Sequence, residues 1–357
     1  MLYGGILLKT THKTVNTSSV DLSFIENNSV DLVVTSPPYP MIEMWNDSFC
    51  SQNRNIQLLL NSGKYDDAFN EMHNILQKVW VEIDRVLTDG GFVCINIGDA
   101  TKNCDGIFRM FSNHSKIISF FSKMGYSILP DIIWRKQTNA PNKFMGSGMY
   151  PAGAYVTFEH EYILIFRKGR KREFKSTEKK LNRQRSAYFW EERNIWFSDL
   201  WDIKGVSQIM KKPVSRDRSG AFPFELAYRL INMYSVKGDT VLDPFAGTGT
   251  VAFASIASER NSINIEIDTS LYENIFTGRS QIKNKINVYI KSRIKNHIEF
   301  INKQKALGKE KFYINTQHNL LVKTRQEKEA SFSLIESISK NYSSLECTYN
   351  KLPCYNE

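Results

Sequence analysis

An α/β fold with a mostly parallel sheet and helices on both faces is predicted by three observations along the 357 residues. The first is alternation. Segments with apolar residues three and four apart take turns with short apolar runs, the pattern of strands and covering helices. The second is a run of strand character, Leu32 to Thr35, that passes directly into Ser36-Pro37-Pro38-Tyr39. The third is an apolar strand ending at Asp243, followed by a glycine turn, a helix and a second short strand ending in an acid. Open sheets bind ligands at the carboxyl ends of their strands, where both polar endings fall.

Taken in order, residues 1 to 30 hold Asp21-Leu-Ser-Phe-Ile25, expected as a short helix, and a turn at Glu26-Asn-Asn-Ser29. Pro37 and Pro38 lack an N–H and fix φ, so the strand stops at Ser36 and the chain is frozen in an extended turn. That turn holds the Ser36 hydroxyl, the backbone carbonyls and the Tyr39 ring in fixed relation. Residues 40 to 64 are polar and irregular, and read as a surface loop or a mobile lid. Phe69, Met72, Leu76, Val79, Ile83 and Val86 predict a helix from Asp66 to Leu87, stopped by Gly90-Gly91. A strand at Phe92 to Ile97 should end at Gly98-Asp99. A helix from Ser112 to Met124, a strand from Ile128 to Trp134, a loop over 135–153 and a buried strand from His160 to Phe166 follow.

Lys and Arg outnumber Asp and Glu by 47 to 37, a net charge of +10 that suggests a polyanionic partner. Five scattered cysteines with no C-x-x-C pair argue against disulfides and zinc, and six dispersed histidines form no metal cluster. No charged N-terminal segment leads into an apolar core, and runs such as Tyr162 to Phe166 are too short to cross a bilayer. A water-soluble protein of a reducing cytoplasm is expected, without metal or membrane.

Composition breaks at Arg167. From there to Arg185, ten Lys or Arg stand against two Glu, and the aromatics Tyr188, Phe189, Trp190, Trp196, Phe197 and Trp201 come next. Two readings stand side by side. One is a solvated charged loop whose aromatics pack back on the core. The other is a nucleic-acid surface, with Arg170, Lys171, Arg172, Lys179, Lys180, Arg183 and Arg185 neutralising phosphates.

Thr240 to Thr250 carries the other polar ending. Gly247 and Gly249 let the backbone approach a ligand where a Cβ would collide. Glu266 lies about twenty residues further on, the offset at which an acid commonly accepts hydrogen bonds from ribose hydroxyls. A nucleoside-type cofactor fits this order. The dinucleotide signature G-x-G-x-x-G is absent, and so is the Gly-Lys-Ser/Thr of a P-loop.

Asp243-Pro-Phe-Ala-Gly-Thr-Gly-Thr250 resembles the S-adenosylmethionine motif of DNA amino-methyltransferases, and Thr35-Ser-Pro-Pro-Tyr39 resembles their catalytic motif. The catalytic motif comes first, which resembles the permuted order of the β group in bacterial restriction–modification systems. Arg85 to Phe92 is similar to the family's R-x-L-K-x-G-G segment, and Asp131 to Lys136 to the strand before its target loop. Ala221 to Ile231 is similar to the segment that touches the methionine end of the cofactor. Arg218-Ser-Gly-Ala221 departs from the His-Pro-Ala-Pro that members often carry there, so the cofactor contacts of 218–221 do not carry over.

The resemblance implies a Rossmann-like S-adenosylmethionine-dependent methyltransferase sheet of permuted motif order with an inserted target-recognition region. Residues 1–166 would form the catalytic half, 167–217 the target-recognition region, 218–280 the cofactor-binding half and 281–357 a helical, basic extension. In the family's terms, the Ser36 hydroxyl and Pro37 carbonyl accept the hydrogens of a flipped base's amine. Pro38 fixes the turn and Tyr39 stacks on the base. Asp243, Phe245, Gly247, Gly249, Phe222 and Pro223 would hold S-adenosyl-L-methionine, Glu266 its ribose, and Asp99 would line the same edge. Double-stranded DNA is the implied partner, with a restriction endonuclease of the same site as companion. Ser at position 36 resembles the cytosine-N4 enzymes more than the adenine-N6 enzymes. The alternatives are adenine-N6 transfer, or a DNA-binding regulatory protein that keeps the fold without the chemistry. Cytosine C5 methylation needs a cysteine nucleophile, and the sole Pro-Cys pair, Pro353-Cys354, is remote from these motifs.

Overall fold

One sheet carries the molecule. In the computed structural model, which describes residues 9–136, 145–146, 150–156, 158–205, 222–275, 277, 279–309, 311–341 and 344–355, its strands are β1 (Lys9–Asn16), β2 (Val30–Thr35), β3 (Leu87–Ile97), β4 (Ile132–Arg135), β5 (His160–Arg167), β6 (Leu200–Asp202), β7 (Thr240–Asp243), β8 (Asn261–Glu266), β9 (Ser333–Asn341) and β10 (Ser344–Lys351). They lie in the order β6-β4-β5-β3-β2-β7-β8-β1-β10-β9, and the short strand Ser127–Ile128 also pairs with β5. The centre, β3-β2-β7-β8-β1, is parallel as expected. The margins are mixed: β5 runs against both its neighbours, β6 pairs with β4 in parallel, and β9 and β10 form an antiparallel hairpin.

Strand alternation sends Leu32, Val34 and Val241 to one face and Val33, Val93, Ile95 and Leu242 to the other. The first face packs under α4 (Phe224–Tyr234), α5 (Thr250–Ala257) and α6 (Arg279–Ala306). The second packs under α1 (Tyr65–Val86) and α2 (Asn113–Lys123), while α3 (Thr177–Arg185) buries no residue. The crossover from β2 to β3 uses α1, and that from β7 to β8 uses α5, on the opposite face. Between β2 and β7 the chain therefore leaves in opposite directions, opening a crevice at the carboxyl ends of the two strands.

Several expected elements are corrected. Asp21 to Ile25 forms turns, held where Arg85 donates to the carbonyls of Leu22 (2.7 Å) and Ile25 (2.9 Å). The strand β1 before it has no apolar alternation to announce it. Its inward residues Thr10, His12 and Thr14 are polar, with His12 bonded to Ser262 at 3.0 Å and Thr10 to Tyr349 at 2.7 Å. Residues 40–64 are not an irregular loop. They form helices Asn46–Gln52 and Arg54–Asn61, which bury Phe49 and Ile56. Among its described residues, the region 281–357 is α-helical only as far as Ala306. Beyond it β10 buries Leu345, Cys347 and Tyr349 at alternate positions and extends the sheet past β1.

Three of the aromatics after the basic run, Phe189, Trp196 and Trp201, pack back on the core, while Trp190 and Phe197 stay exposed. Phe189 stacks on His297 of α6 with ring centroids 3.6 Å apart, and Trp196 and Trp201 are buried. The segment 187–202 is thus part of the fold. Arg218 to Ala221, and most of the expected 135–153 loop, lie outside the described residues.

Candidate active site

Two polar strand endings that are 208 residues apart in sequence meet through one hydrogen bond: Thr35 Oγ1 donates to Asp243 Oδ1 at 2.7 Å. The parallel register that brings them level pairs Val241 with Leu32 and Leu242 with Val33. Asp243 also accepts from the Phe245 N–H at 3.1 Å. Burial pushes its carboxyl up to about 7, against the pull of the Thr35 and Phe245 hydrogen bonds.

The glycine turn then brings the second acid in. Gly247, at φ 54°, donates its N–H to Glu266 Oε2 at 2.7 Å, and the Asp268 N–H reaches Glu266 Oε1 at 2.8 Å. The two glycines serve different ends. A Cβ on Gly249 (φ 85°) would stand 2.7 Å from Ile275 Cγ2, so packing of the α5 start requires glycine there. A Cβ on Gly247 would meet nothing within 4 Å, which marks open space along the turn. Phe245 is half-buried beside it, its ring edge-on to Trp80 at 6.1 Å. Phe222 and Pro223 introduce α4, which starts at this end of the sheet and runs back to the start of β7. Two acids, an open glycine flank and flanking rings make a site fitted to a nucleoside with a cationic tail.

The Pro-Pro turn sits over a polar network in the neighbouring strands. The Tyr39 hydroxyl donates to Glu161 Oε2 at 2.8 Å, and Ser36 Oγ lies 3.1 Å from Tyr39 Oη. Asn96 Nδ2 donates to Glu161 Oε2 at 2.7 Å and to Tyr39 Oη at 2.8 Å, and stands 3.4 Å from Ser36 Oγ. Lys136 Nζ donates to Glu161 Oε1. Burial, then the charge of Glu161, holds the Tyr39 phenol well above its ordinary value, so it remains a donor. Ser36 is half-buried, while Tyr39 is buried against Gly98, where a Cβ would come within 3.0 Å of its ring. Just past the turn, Met41 takes φ 67°, a left-handed conformation that costs roughly 1–2 kcal/mol outside glycine. Such strain is held by its surroundings, here a buried side chain and a backbone N–H that donates to Met72 Sδ at 3.3 Å.

Not every expected residue arrives here. Asp99 lies just beyond the end of β3, but both its oxygens are taken by His114, one by the backbone N–H at 3.1 Å and one by Nδ1 at 2.7 Å. Its side chain is fully buried, so it caps the first turn of α2 rather than lining the crevice. Asn96, Glu161 and Lys136 were not foreseen. The available signal was a polar residue inside or beside an apolar run in each of two strands, Ile95-Asn96-Ile97 and Glu161-Tyr-Ile-Leu164.

The basic run is placed at the other end of the sheet. It follows the carboxyl end of antiparallel β5, and Lys168 pairs with Gly90 and Gly91 near the start of β3. Arg172 donates twice to Asp239, at 2.6 and 2.9 Å, and lies 3.4 Å from Asp31, so it clamps the amino ends of β7 and β2. Arg170, Lys171, Lys179, Lys180, Arg183 and Arg185 are exposed on that side. A six-residue strand separates them from Ser36 by roughly 20 Å. Two outcomes are expected. Arg172→Ala destabilises the fold by about 2–4 kcal/mol in denaturant titration, because it strands two carboxylates. Replacing Lys171, Lys179 and Lys180 together by Ala leaves the slope of log affinity for DNA against log salt unchanged, and a shallower slope would bring DNA to that face.

A family model described as DNA methylase matches residues 30–277. The type II methyltransferase M.MthZI of Methanothermobacter thermautotrophicus is 49% identical over 324 residues, covering 90% of each chain. The type II methyltransferase M.MjaI of Methanocaldococcus jannaschii is 49% identical over 275 residues, covering 74% of this chain and 89% of that one. Both of these relatives are archaeal. Among solved structures, a candidate DNA modification methylase from Thermus thermophilus, complexed with S-adenosyl-L-methionine, is 28% identical with a TM-score of 0.58, covering 77% of this chain and 96% of that one.

Proposed function

The chain belongs to the N6/N4 DNA methylase family, and from that premise we propose that it methylates the exocyclic N4 amine of cytosine in duplex DNA. Its methyl donor is S-adenosyl-L-methionine. The observation that carries the reading is the Thr35–Asp243 hydrogen bond, which fixes the Ser-Pro-Pro-Tyr turn beside the strand end of the glycine turn.

When bound, the cofactor supplies an electrophilic methyl group on a sulfonium sulfur. Asp243, Glu266, Phe245 and the Gly247 backbone are the groups that would hold it, with Phe222 and Pro223 at the start of α4. An exocyclic amine is a poor nucleophile because its lone pair is delocalised into the ring. The Ser36 hydroxyl and Pro37 carbonyl accept its two hydrogens and turn the lone pair toward the donor. Direct transfer would form the N–CH₃ bond as the S–CH₃ bond breaks and release one proton from the amine, and orientation would provide much of the acceleration without a covalent enzyme intermediate. Tyr39 gives the base a ring to stack against once it has left the duplex, as bases do for methyltransferases. Ser at position 36 favours cytosine. The described residues contain no cluster suited to a metal and no helix long and apolar enough to cross a membrane. Relatives named as type II methyltransferases support a role in protecting DNA from a restriction endonuclease of the same site.

The test is to incubate duplex DNA with the protein and isotopically labelled cofactor, digest to nucleosides and identify the labelled one by mass spectrometry. N4-methylcytidine is expected as its deoxynucleoside. Label in N6-methyladenine would overturn the choice of base, and no label in any nucleoside would overturn the activity.

A further inference from the structure

Among the described residues, Glu161 is the carboxylate beneath the Ser-Pro-Pro-Tyr turn, and it comes from β5, outside both motifs that define the site. It is buried, and its three neighbours are all donors: the Tyr39 hydroxyl at 2.8 Å, Asn96 Nδ2 at 2.7 Å and Lys136 Nζ. We infer that Glu161 is a positioning residue for methyl transfer, which acts through Tyr39 to set the Ser36 hydroxyl as an acceptor toward the target amine.

The direction of each hydrogen follows from counting. A phenol has one proton, and a carboxylate at 2.8 Å claims it. Tyr39 Oη can then only accept from its other neighbours. The Asn96 amide is oriented by the same carboxylate, since only its NH₂ side can face Glu161, and its two hydrogens go to the nearer of its three acceptors, Glu161 at 2.7 Å and Tyr39 Oη at 2.8 Å, with Ser36 Oγ farther at 3.4 Å. The remaining neighbour of Tyr39 Oη is Ser36 Oγ at 3.1 Å, which must therefore be the donor. With its own proton directed at Tyr39, the Ser36 oxygen turns its lone pairs elsewhere, the polarity that a target N–H requires. Gln in place of Glu161 would turn its amide oxygen to the Lys136 ammonium and its NH₂ to Tyr39, releasing the Tyr39 proton to point at Ser36, and Ser36 would lose its fixed sense. Lys136 faces the other carboxylate oxygen and keeps the charge compensated.

This rests on the reading of the protein as an amino-methyltransferase. The experiment measures single-turnover methyl transfer to duplex DNA at saturating cofactor for wild type, Glu161→Gln, Tyr39→Phe and the double variant, with cofactor affinity measured by calorimetry. Each single variant should lower the rate by about 10- to 100-fold, while KM for the cofactor and its affinity stay within about threefold. The double variant should be no slower than the slower single one, because both cut the same chain of hydrogen bonds. Tyr39→Phe leaves Glu161, Asn96 and Lys136 in place, so it decides the matter even where Glu161→Gln fails to fold. A wild-type rate in either single variant, or losses that multiply in the double, would overturn the inference. Wild-type transfer in the same assay separates its failure from failure of the parent reading.

Discussion

Ser36→Ala is expected to slow methyl transfer by about 10²–10³-fold, the usual cost of removing one preorganised polar contact to the reacting group. Affinity for S-adenosyl-L-methionine should stay within about threefold, because the substitution spares every link on the cofactor side. Thr35 still donates to Asp243, and the Gly247 N–H still reaches Glu266. The turn itself survives, since Tyr39 remains bonded to Glu161 and Asn96. What disappears is one acceptor, half-exposed at the mouth of the site. Single-turnover transfer of labelled methyl, with calorimetric binding of the cofactor as the control, separates the two quantities. A full-rate variant would remove Ser36 from the chemistry.

Asp243→Asn is expected to weaken cofactor binding by about tenfold or more, and to change how stability depends on pH in a direction that can be worked out beforehand. Burial raises the Asp243 carboxyl from its ordinary value of 3.8 to about 7 in the fold. A group raised in this way contributes stability that is fully present below its unfolded value and is lost as pH rises through its folded one. In the ligand-free wild type that contribution therefore fades between about pH 4 and pH 7. The asparagine variant has no proton to lose. Its Tm relative to wild type should climb as pH is raised from 5 to 8, although its cofactor binding is worse throughout. Calorimetric Tm values across that range provide the check, and a constant difference would show that the carboxyl titrates near its ordinary value.

Much of the candidate site's backbone framework was legible because its chemistry is local. Pro37-Pro38 stops a strand, Gly247 and Gly249 bend one, and each leaves a mark within a few residues. The long helix α1 was legible for the same reason, since its apolar spacing is set by its own periodicity. Glu161 and Asn96 were not, because nothing near them in the chain states that β5 and β3 will place them under Tyr39. The strand β1 escaped because its inward side is Thr10, His12 and Thr14, satisfied by hydrogen bonds from distant strands rather than by apolar packing. The basic run is the opposite case. Its charge was plain, but which end of the sheet it faces depends on β5 running antiparallel, and no pattern within the run records that. The tail was obscured likewise, since β10 is half polar and buries alternate residues only against a β1 that was itself unseen.

The pairing of β1 with β10, Lys9 opposite Thr348, gives the chain a further property. The first and last strands of the described sheet are neighbours, so the backbone is close to a ring that has been cut once. In a ring, which motif comes first is decided by the place of the cut, whereas the sheet neighbours are decided by side-chain fit. A circularly permuted chain, joined near Tyr355 and Lys9 by a short flexible linker and opened at the exposed turn of Gly125, should rebuild the same sheet with the glycine turn ahead of the Pro-Pro turn. The order of the two motifs along this polypeptide would then be an accident of threading, carrying no information about the reaction they serve.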